Sequence, residues 1–482
     1  MKFSKTGFGC YRVDNRIPEH ADALKKALLN GITVIDTSSN YTDGRSEILV
    51  GNVIDELLEQ GKIRREDITI VTKVGYMQGQ NYKFALRKKE QGAPFRDVVE
   101  YSEELWHCIS PDFLEDQINR QMFRLDQNNR DGYIDVYLLH NPEYFLNWAK
   151  SQGMALSDAR KEYYSRIKKA FEFLETKSKE GKIKSYGVSS NTFPSEADKY
   201  DFTSLETLIE IAKEVSKENH FIFIQMPFNL VESGALLTKN QSNGTKSVLE
   251  TAKENGLRVL VNRPLNAITK KGLVRLADFK ADAFNKDEFR KRVDVLKLME
   301  DDFVNEKLPN TNFPDKEKET LASLFTLGSK IEENSMNFGS IEHLNDVIEQ
   351  YFSPRINYLM DFFEDKVSDE DMTKQFDKYL KLVFSTLNLL SNYYKTSAVK
   401  RSAYLHSLID GATGGKTEGL PLSQKAILLL SSVDGVDCVL TGARKEKYTD
   451  DLTEIEKLER IENAESVIIK IKEELDIALA GN

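Results

Sequence analysis

The chain is short of cysteine, of cationic excess and of long apolar runs, and each shortage excludes a class of protein. Its three cysteines, Cys10, Cys108 and Cys438, are far apart and lack CxxC spacing. Neither a disulfide framework nor a zinc site is indicated, and a reducing compartment is implied. Lys and Arg number 67 against 77 Asp and Glu, for a formal charge of −10. Nucleic-acid binders show a basic face, so no nucleic-acid partner is expected. No run reaches the roughly 18 apolar residues of a membrane span, and the N-terminal MKFSKTGFGCYRVDNR has no signal-peptide core. These readings point to a cytoplasmic chain with no membrane partner and leave the oligomeric state open.

What the sequence does have is rhythm. Short apolar runs recur at 5–11, 32–36, 68–74, 134–140, 185–189, 221–226, 257–262 and 436–441, with amphipathic stretches such as Ala21 to Leu29, Glu47 to Gln60 and Phe113 to Leu125 between them. Strand alternating with helix implies parallel β/α units, and eight of them imply a closed (β/α)8 TIM barrel, with an open doubly wound sheet as the alternative. Asn30-Gly31, Glu180-Gly181 and Asn255-Gly256 suit left-handed helix ends. Two long departures break the pattern. Met77 to Ser110 reads as a polar and aromatic loop carrying Tyr82, Phe84, Phe95, Tyr101, Trp106 and His107. From about Ala267 to Gly419 the chain is rich in Lys, Glu and Asp with helical periodicity, as in FRKRVDVLKLMEDDF. The expected domains are therefore 1–266 with seven barrel units, 267–419 as a helical insertion, and 420–482 with the last helices and the eighth strand.

Gly31 to Tyr41, GITVIDTSSNY, places a carboxylate and a phenol where a buried strand runs out. Ile32, Val34 and Ile35 form a β-branched run, and Asp36 ends it. Lys73 closes the third run, where an unpaired ammonium would be costly, so Asp36 at the neighbouring strand end is its expected partner. The fourth run, IDVYLLH, ends in His140. Asp36, Tyr41, Lys73 and His140 thus converge on one rim, an arrangement suited to an active site. GATGGKT, Gly411 to Thr417, falls one residue short of P-loop spacing and follows no buried strand, so it reads as the flexible exit from the insertion.

With these residues in view, the sequence resembles the aldo-keto reductase superfamily. The resemblance lies in D-x-x-x-x-Y from Asp36 to Tyr41, T-K at Thr72-Lys73 and L-x-H at Leu138 to His140. It continues in G-V-S-S-N from Gly187 to Asn191, in Gln225, in Arg263-Pro264-Leu265 and in LTGARK from Leu440 to Lys445. The resemblance implies an NAD(P)-dependent oxidoreductase that interconverts a carbonyl (aldehyde, ketone or aldose) and an alcohol by hydride transfer, with no metal. By it, Tyr41 is the general acid and base, Lys73 and Asp36 lower its pKa, and His140 orients the carbonyl. Ser190, Asn191 and Gln225 match residues that hold the nicotinamide, and Arg263, Pro264, Leu265, Gly442, Arg444 and Lys445 fall where the rest of the dinucleotide is held. The chain departs from the family at Asn262-Arg263, where many members carry a stacking aromatic. It departs again at Gly442, Ala443 and Tyr448, where NADP-preferring members carry a charged clamp, so the cofactor is NADP or NAD. Asp450 and Asp451 would favour a free ribose hydroxyl. A rival reading is a catalytically weak dinucleotide-binding barrel that acts as a redox-sensing or scaffolding partner through its insertion.

Overall fold

The structure is a computed structural model that describes residues 3–126, 128, 132–269 and 272–480. Eight strands form a closed barrel: β1 (Thr6–Gly9), β2 (Val34–Asp36), β3 (Thr69–Val74), β4 (Ile134–His140), β5 (Ile183–Ser189), β6 (Phe221–Pro227), β7 (Arg258–Asn262) and β8 (Cys438–Gly442). Each strand pairs in parallel with the next, and β8 closes on β1 through Thr6↔Val439 to Gly9↔Gly442. The eight apolar runs of the sequence are these eight strands.

The helices α1 (Pro18–Leu29), α2 (Arg45–Glu59), α3 (Pro111–Leu125), α4 (Leu156–Lys179), α5 (Leu205–Val215) and α6 (Val248–Glu254) follow β1 to β6 in order. The helix α7 (Leu422–Ser432) precedes β8 and α8 (Glu446–Lys457) follows it. Local chemistry sets their ends. Pro18 and Pro111 stand at first helical positions, where the missing N–H costs nothing. Ser247 and Glu250 close a capping box on α6. Gly31, Gly181 and Gly256 reverse the chain after α1, α4 and α6 with φ of +93°, +76° and +67°.

Inside the barrel the side chains sort by height. Val34, Val71, Val136, Leu138, Phe223, Leu260, Cys438 and Leu440 fill the lower layers, and Phe3, just ahead of β1, stacks on Phe223 at 5.8 Å. The strand C-termini carry the polar layer described below.

The Met77 to Ser110 stretch is ordered where a loop was expected. It holds the helix Gly79–Glu90 and a three-stranded sheet of Tyr76–Met77, Leu105–His107 and Val99–Ser102. Its aromatics make a small core of their own, with Tyr82 edge-on to Trp106 at 5.0 Å and Phe95 edge-on to Phe113 at 5.2 Å.

The chain divides into two compact units, Met1–Ala267 with Ile409–Asn482, and Ile268–Leu408. The second joint lies inside the helix Glu370–Ala412 and not at Gly419. The reason is visible in the first unit, where Asp410 takes both oxygens to the ammonium of Lys425, which is 1% exposed on α7. Thr417 Oγ1 also donates to Asp410 at 2.7 Å. The GATGGKT stretch therefore runs from the last two residues of the helix Glu370–Ala412 into a tied-down turn. The second unit has a core that includes Phe303, Phe325, Phe363 and Phe376, with the last two stacked at 3.8 Å. Its buried Glu300 accepts from Gly328 N and from the Tyr379 hydroxyl, each at 2.7 Å.

Candidate active site

A strand alternates its side chains between faces, so the apolar pairs inside the barrel dictate which residue comes next. Above Val34 comes Asp36, above Val71 comes Lys73, and above Leu138 comes His140. At the same level stand Ser189 on β5, Gln225 on β6 and Asn262 on β7, with His140↔Ser189 and Ser189↔Gln225 paired across the ladder. Lys73, fully buried, places Nζ 2.7 Å from Asp36 Oδ2 and 2.8 Å from the Thr37 carbonyl. It also donates to the Tyr41 hydroxyl at 3.3 Å. The other oxygen of Asp36 accepts from Gln225 Nε2 at 2.8 Å. Gln225 Oε1 in turn accepts from Ser189 Oγ at 3.1 Å and from Asn262 Nδ2 at 3.3 Å.

The backbone beneath Lys73 is fixed from outside the barrel. Buried Glu47 on α2 accepts from Thr72 Oγ1 (2.5 Å), Gln121 Nε2 (2.7 Å) and Arg124 Nε (2.6 Å), and Gln121 also donates to the Lys73 carbonyl at 3.1 Å. Tyr41 stands on a turn whose next two residues, Thr42 and Asp43, have φ of +46° and +58°. Left-handed backbone at non-glycine residues is strained and persists only where contacts hold it. Here Thr42 Oγ1 donates to the Val13 carbonyl at 2.6 Å, and Asp43 Oδ1 accepts from Gln80 N at 2.8 Å. Asn141 (φ +50°) and Arg263 (φ +52°), each one residue beyond a strand end, show the same strain.

His140 has Ser38 Oγ 3.3 Å from Nδ1, its ring edge-on to Tyr76 at 4.8 Å, and Tyr41 at 6.0 Å. Its backbone carbonyl lies 2.8 Å from His107 Nε2. Gly75 has to be glycine for this approach, since a Cβ there would sit 2.5 Å from that nitrogen and 2.7 Å from the same carbonyl. Tyr11, 65% exposed, meets Tyr41 edge-on at 5.2 Å.

Burial dominates the electrostatics. It pushes the Tyr41 phenol well above its usual value, and the negative charge of Asp36 adds to the rise. The lowering expected from Lys73 is outweighed, because a buried phenolate loses more by leaving water than it gains from one nearby cation. Burial also draws Lys73 down, opposed by the Asp36 carboxylate. His140 lies well below the usual imidazole range through burial and then the Lys73 charge, so its ring is neutral at neutral pH.

Asp36, Tyr41, Lys73, His140 and Gln225 are thus brought together. Ser190 instead turns to the hydroxyls of Thr192 (3.1 Å) and Thr203 (3.3 Å), and Asn191 is exposed with its N–H on Glu143. Arg263 pairs with Glu232 at 3.1 Å, Pro264 is buried and Leu265 is half-buried. Gly442, Arg444 and Lys445 are exposed just before α8. Asp450 is held by Lys26 at 2.7 Å and Asp451 accepts from Gln424, so both carboxylates expected near a ribose already have partners.

Ser38, Tyr76 and Ser189 were not singled out from sequence. For Ser189 the signal was present, because counting by twos along β5 puts Ser189 inside and Ser190 outside. Among the described residues no group of His, Cys, Asp or Glu is placed to hold a metal ion, and no helix is long and apolar enough to cross a membrane.

The aldo/keto reductase family model matches residues 6–331. The chain belongs to the aldo/keto reductase family. An uncharacterized oxidoreductase of Bacillus subtilis, YqkF, is 23% identical over 342 residues, covering 69% of this chain and 85% of that one. The NAD(P)H-dependent D-xylose reductase of Scheffersomyces stipitis is 25% identical over 270 residues, covering 54% and 69%. The solved structure of a glycerol dehydrogenase from Gluconobacter oxydans is 15% identical with a TM-score of 0.46, covering 97% and 91%. The aldo-keto reductase is an NAD(P)-dependent oxidoreductase of carbonyl compounds.

The strand ends fit a dinucleotide. Asn262 Oδ1, Arg263 Nε and Thr441 Oγ1 are buried without a hydrogen-bond partner among the described residues. They offer both acceptor and donors at the C-terminal ends of β7 and β8, beside the cations Arg444 and Lys445, as a polar anionic ligand requires.

Proposed function

We propose that Tyr41 is the general acid that protonates the oxygen of an aldehyde, ketone or aldose during reduction, and the base that takes the proton back during alcohol oxidation. The observation that carries this reading is Lys73 Nζ, placed between Asp36 (2.7 Å) and the Tyr41 hydroxyl (3.3 Å). A donor fixed on the phenol oxygen stabilises the charge that develops there as the proton leaves. Asp36 holds that donor, and Gln225 holds Asp36. His140, neutral, can donate a hydrogen bond to a carbonyl without competing for its proton.

Bound NAD(P)H supplies the hydride. Ser190, Asn191, Arg263, Pro264, Leu265, Gly442, Arg444 and Lys445 are the residues we assign to holding it. Gln225 has one N–H committed to Asp36 and can offer only its second to a nicotinamide carboxamide. Tyr11 and Tyr76, beside Tyr41 and His140, give the substrate an aromatic surface suited to a sugar face or an apolar carbonyl.

The test is turnover of an aldehyde, ketone and aldose panel with NADH and NADPH by the native chain and by Tyr41→Phe. Loss of a general acid lowers kcat by about 10² to 10⁴ while leaving dinucleotide affinity near its native value. Near-native turnover by Tyr41→Phe would overturn the assignment.

A further inference from the structure

Glu143 is a buried carboxyl that the chemistry above does not use. It stands three residues beyond His140, as the residue before the helix Tyr144–Ser151, and its side chain makes no cap on that helix. Instead it reaches across to the next strand end, where Oε1 accepts the backbone N–H of Asn191 at 2.8 Å. Only 3% of the residue is exposed, and Oε2 is buried without a hydrogen-bond partner among the described residues. A carboxylate buried with one idle oxygen is costly to keep, and what it provides at that cost is a stronger acceptor for this N–H than a neutral amide. Its position is the informative part, because it links the loop that follows His140 to the turn that carries Ser190 and Asn191.

We propose that Glu143 is a positioning residue that ties the loop following the carbonyl-orienting His140 to the Ser190–Asn191 turn, so that its ionisation sets dinucleotide affinity. This rests on the reading that the turn holds the dinucleotide. The titratable groups that face Glu143 are Asp201 beyond β5, Tyr163 on α4 and Tyr76 beyond β3. Burial pushes the carboxyl up to about 7, opposed by its own backbone N–H, then by the Asn191 N–H and the nearby Ser190 hydroxyl, and assisted by the Asp201 charge. Above that pH the charged oxygen is a strong acceptor and the turn is held. Below it the protonated carboxyl accepts weakly and the turn is released, so affinity falls as pH falls.

NADH suits the test, since its pyrophosphate stays ionised throughout the range used. Binding is followed by nicotinamide fluorescence from pH 5.5 to 8.5 on the full chain, for the native protein, Glu143→Gln, Glu143→Asp and Asn191→Ala. Exchanging a charged for a neutral acceptor on one N–H is expected to weaken NADH by about fivefold to tenfold. The native chain should show that loss between pH 8 and pH 6, with a midpoint near 7. Glu143→Gln should bind at the weaker level at every pH, with the loss in the KM for dinucleotide rather than in kcat. Glu143→Asp should keep a pH dependence at intermediate affinity, and it decides the matter if the Gln variant does not fold. Native affinity at pH 8 in Glu143→Gln, or an unchanged pH dependence in it, would overturn the proposal. Asn191→Ala retains the N–H that Glu143 accepts and removes only the side chain. If it binds NADH like the native chain, the assignment of the turn to the dinucleotide fails. If it weakens binding while Glu143→Gln does not, only the role of Glu143 fails.

Discussion

Gln225 Nε2 donates to Asp36 Oδ1 at 2.8 Å, joining β6 to β2 across the inside of the barrel. Neither residue is near the other in sequence, and neither strand pairs with the other. The bond means that the ion pair with Lys73 is held from the far wall as well as from its own side.

The first prediction follows from that bond. Gln225→Met keeps the volume but leaves Asp36 Oδ1 without this donor, and Ser189 Oγ and Asn262 Nδ2 without their acceptor. Each buried polar group left unpaired costs about 1 to 3 kcal/mol, so unfolding in urea should lose at least about 2 kcal/mol. Ser190→Ala, which removes a hydroxyl from a cluster of other hydroxyls, should lose less. Equal stability of the native chain and Gln225→Met would show that the bond is not formed in solution.

The second prediction concerns the helical unit and where it can be cut. Replacing 269–407 with a Gly/Ser linker keeps Asp410, and the remaining chain should melt cooperatively and bind dinucleotide. Loop closure adds only about 0.6 kcal/mol per doubling of length. Replacing 270–415 removes Asp410 and strands the buried Lys425 ammonium. Breaking a buried pair costs about 3 to 5 kcal/mol, so this longer excision should fold poorly. Recovery of folding in the longer excision by Lys425→Met would confirm the cause, and equal melts for the two excisions would refute it.

How much of this was legible in the sequence depended on cost. A charge at the end of an apolar run is expensive unless it has a partner, so Asp36, Lys73 and His140 stood out and the barrel came with them. Ser189 and Asn262 carry no charge and pass for capping residues, and only the two-residue alternation of β5 and β7 marks them as inward. The excursion after β3 hid its helix and hairpin because its aromatics pair with one another and with α3, as Phe95 does with Phe113, and not at a helix or strand period. The rise of the Tyr41 phenol is not legible in the sequence, because charge can be counted there, whereas loss of water around a side chain cannot.

The third prediction is modest cofactor discrimination. Arg444 and Lys445 are exposed, and exposed ion pairs contribute about 0.2 to 1 kcal/mol each. Two of them limit the NADPH to NADH affinity ratio to roughly 30. Lys26 holds Asp450 at 2.7 Å and Glu446 at 3.4 Å, so Lys26→Ala should leave two carboxylates without their cation beside Arg444 and Lys445 and lower the ratio severalfold. Isothermal titration of both cofactors into both proteins reads it directly. A native ratio in the thousands would place the clamp elsewhere.

The last prediction takes the sign of the Tyr41 shift at face value. With its phenol held well above the usual value of 10.0, Tyr41 is protonated across the neutral and mildly alkaline range. Carbonyl reduction consumes the protonated form, so its kcat should be nearly flat from pH 6.5 to 9. Alcohol oxidation needs the phenolate, whose fraction rises about tenfold per pH unit below the pKa, so log kcat should climb with a slope near one. His140 does not interrupt either profile, because its lowered pKa keeps the ring neutral throughout. Lys73→Met removes the donor at 3.3 Å and moves the phenol further up, which depresses reduction and carries the oxidation profile to still higher pH. Because the lysine acts through the tyrosine, Lys73→Met combined with Tyr41→Phe should be little slower than Tyr41→Phe alone. An oxidation rate flat between pH 6.5 and 9 would mean that the proton leaves to some other group. Fully additive losses in the double variant would mean that Lys73 has a separate task.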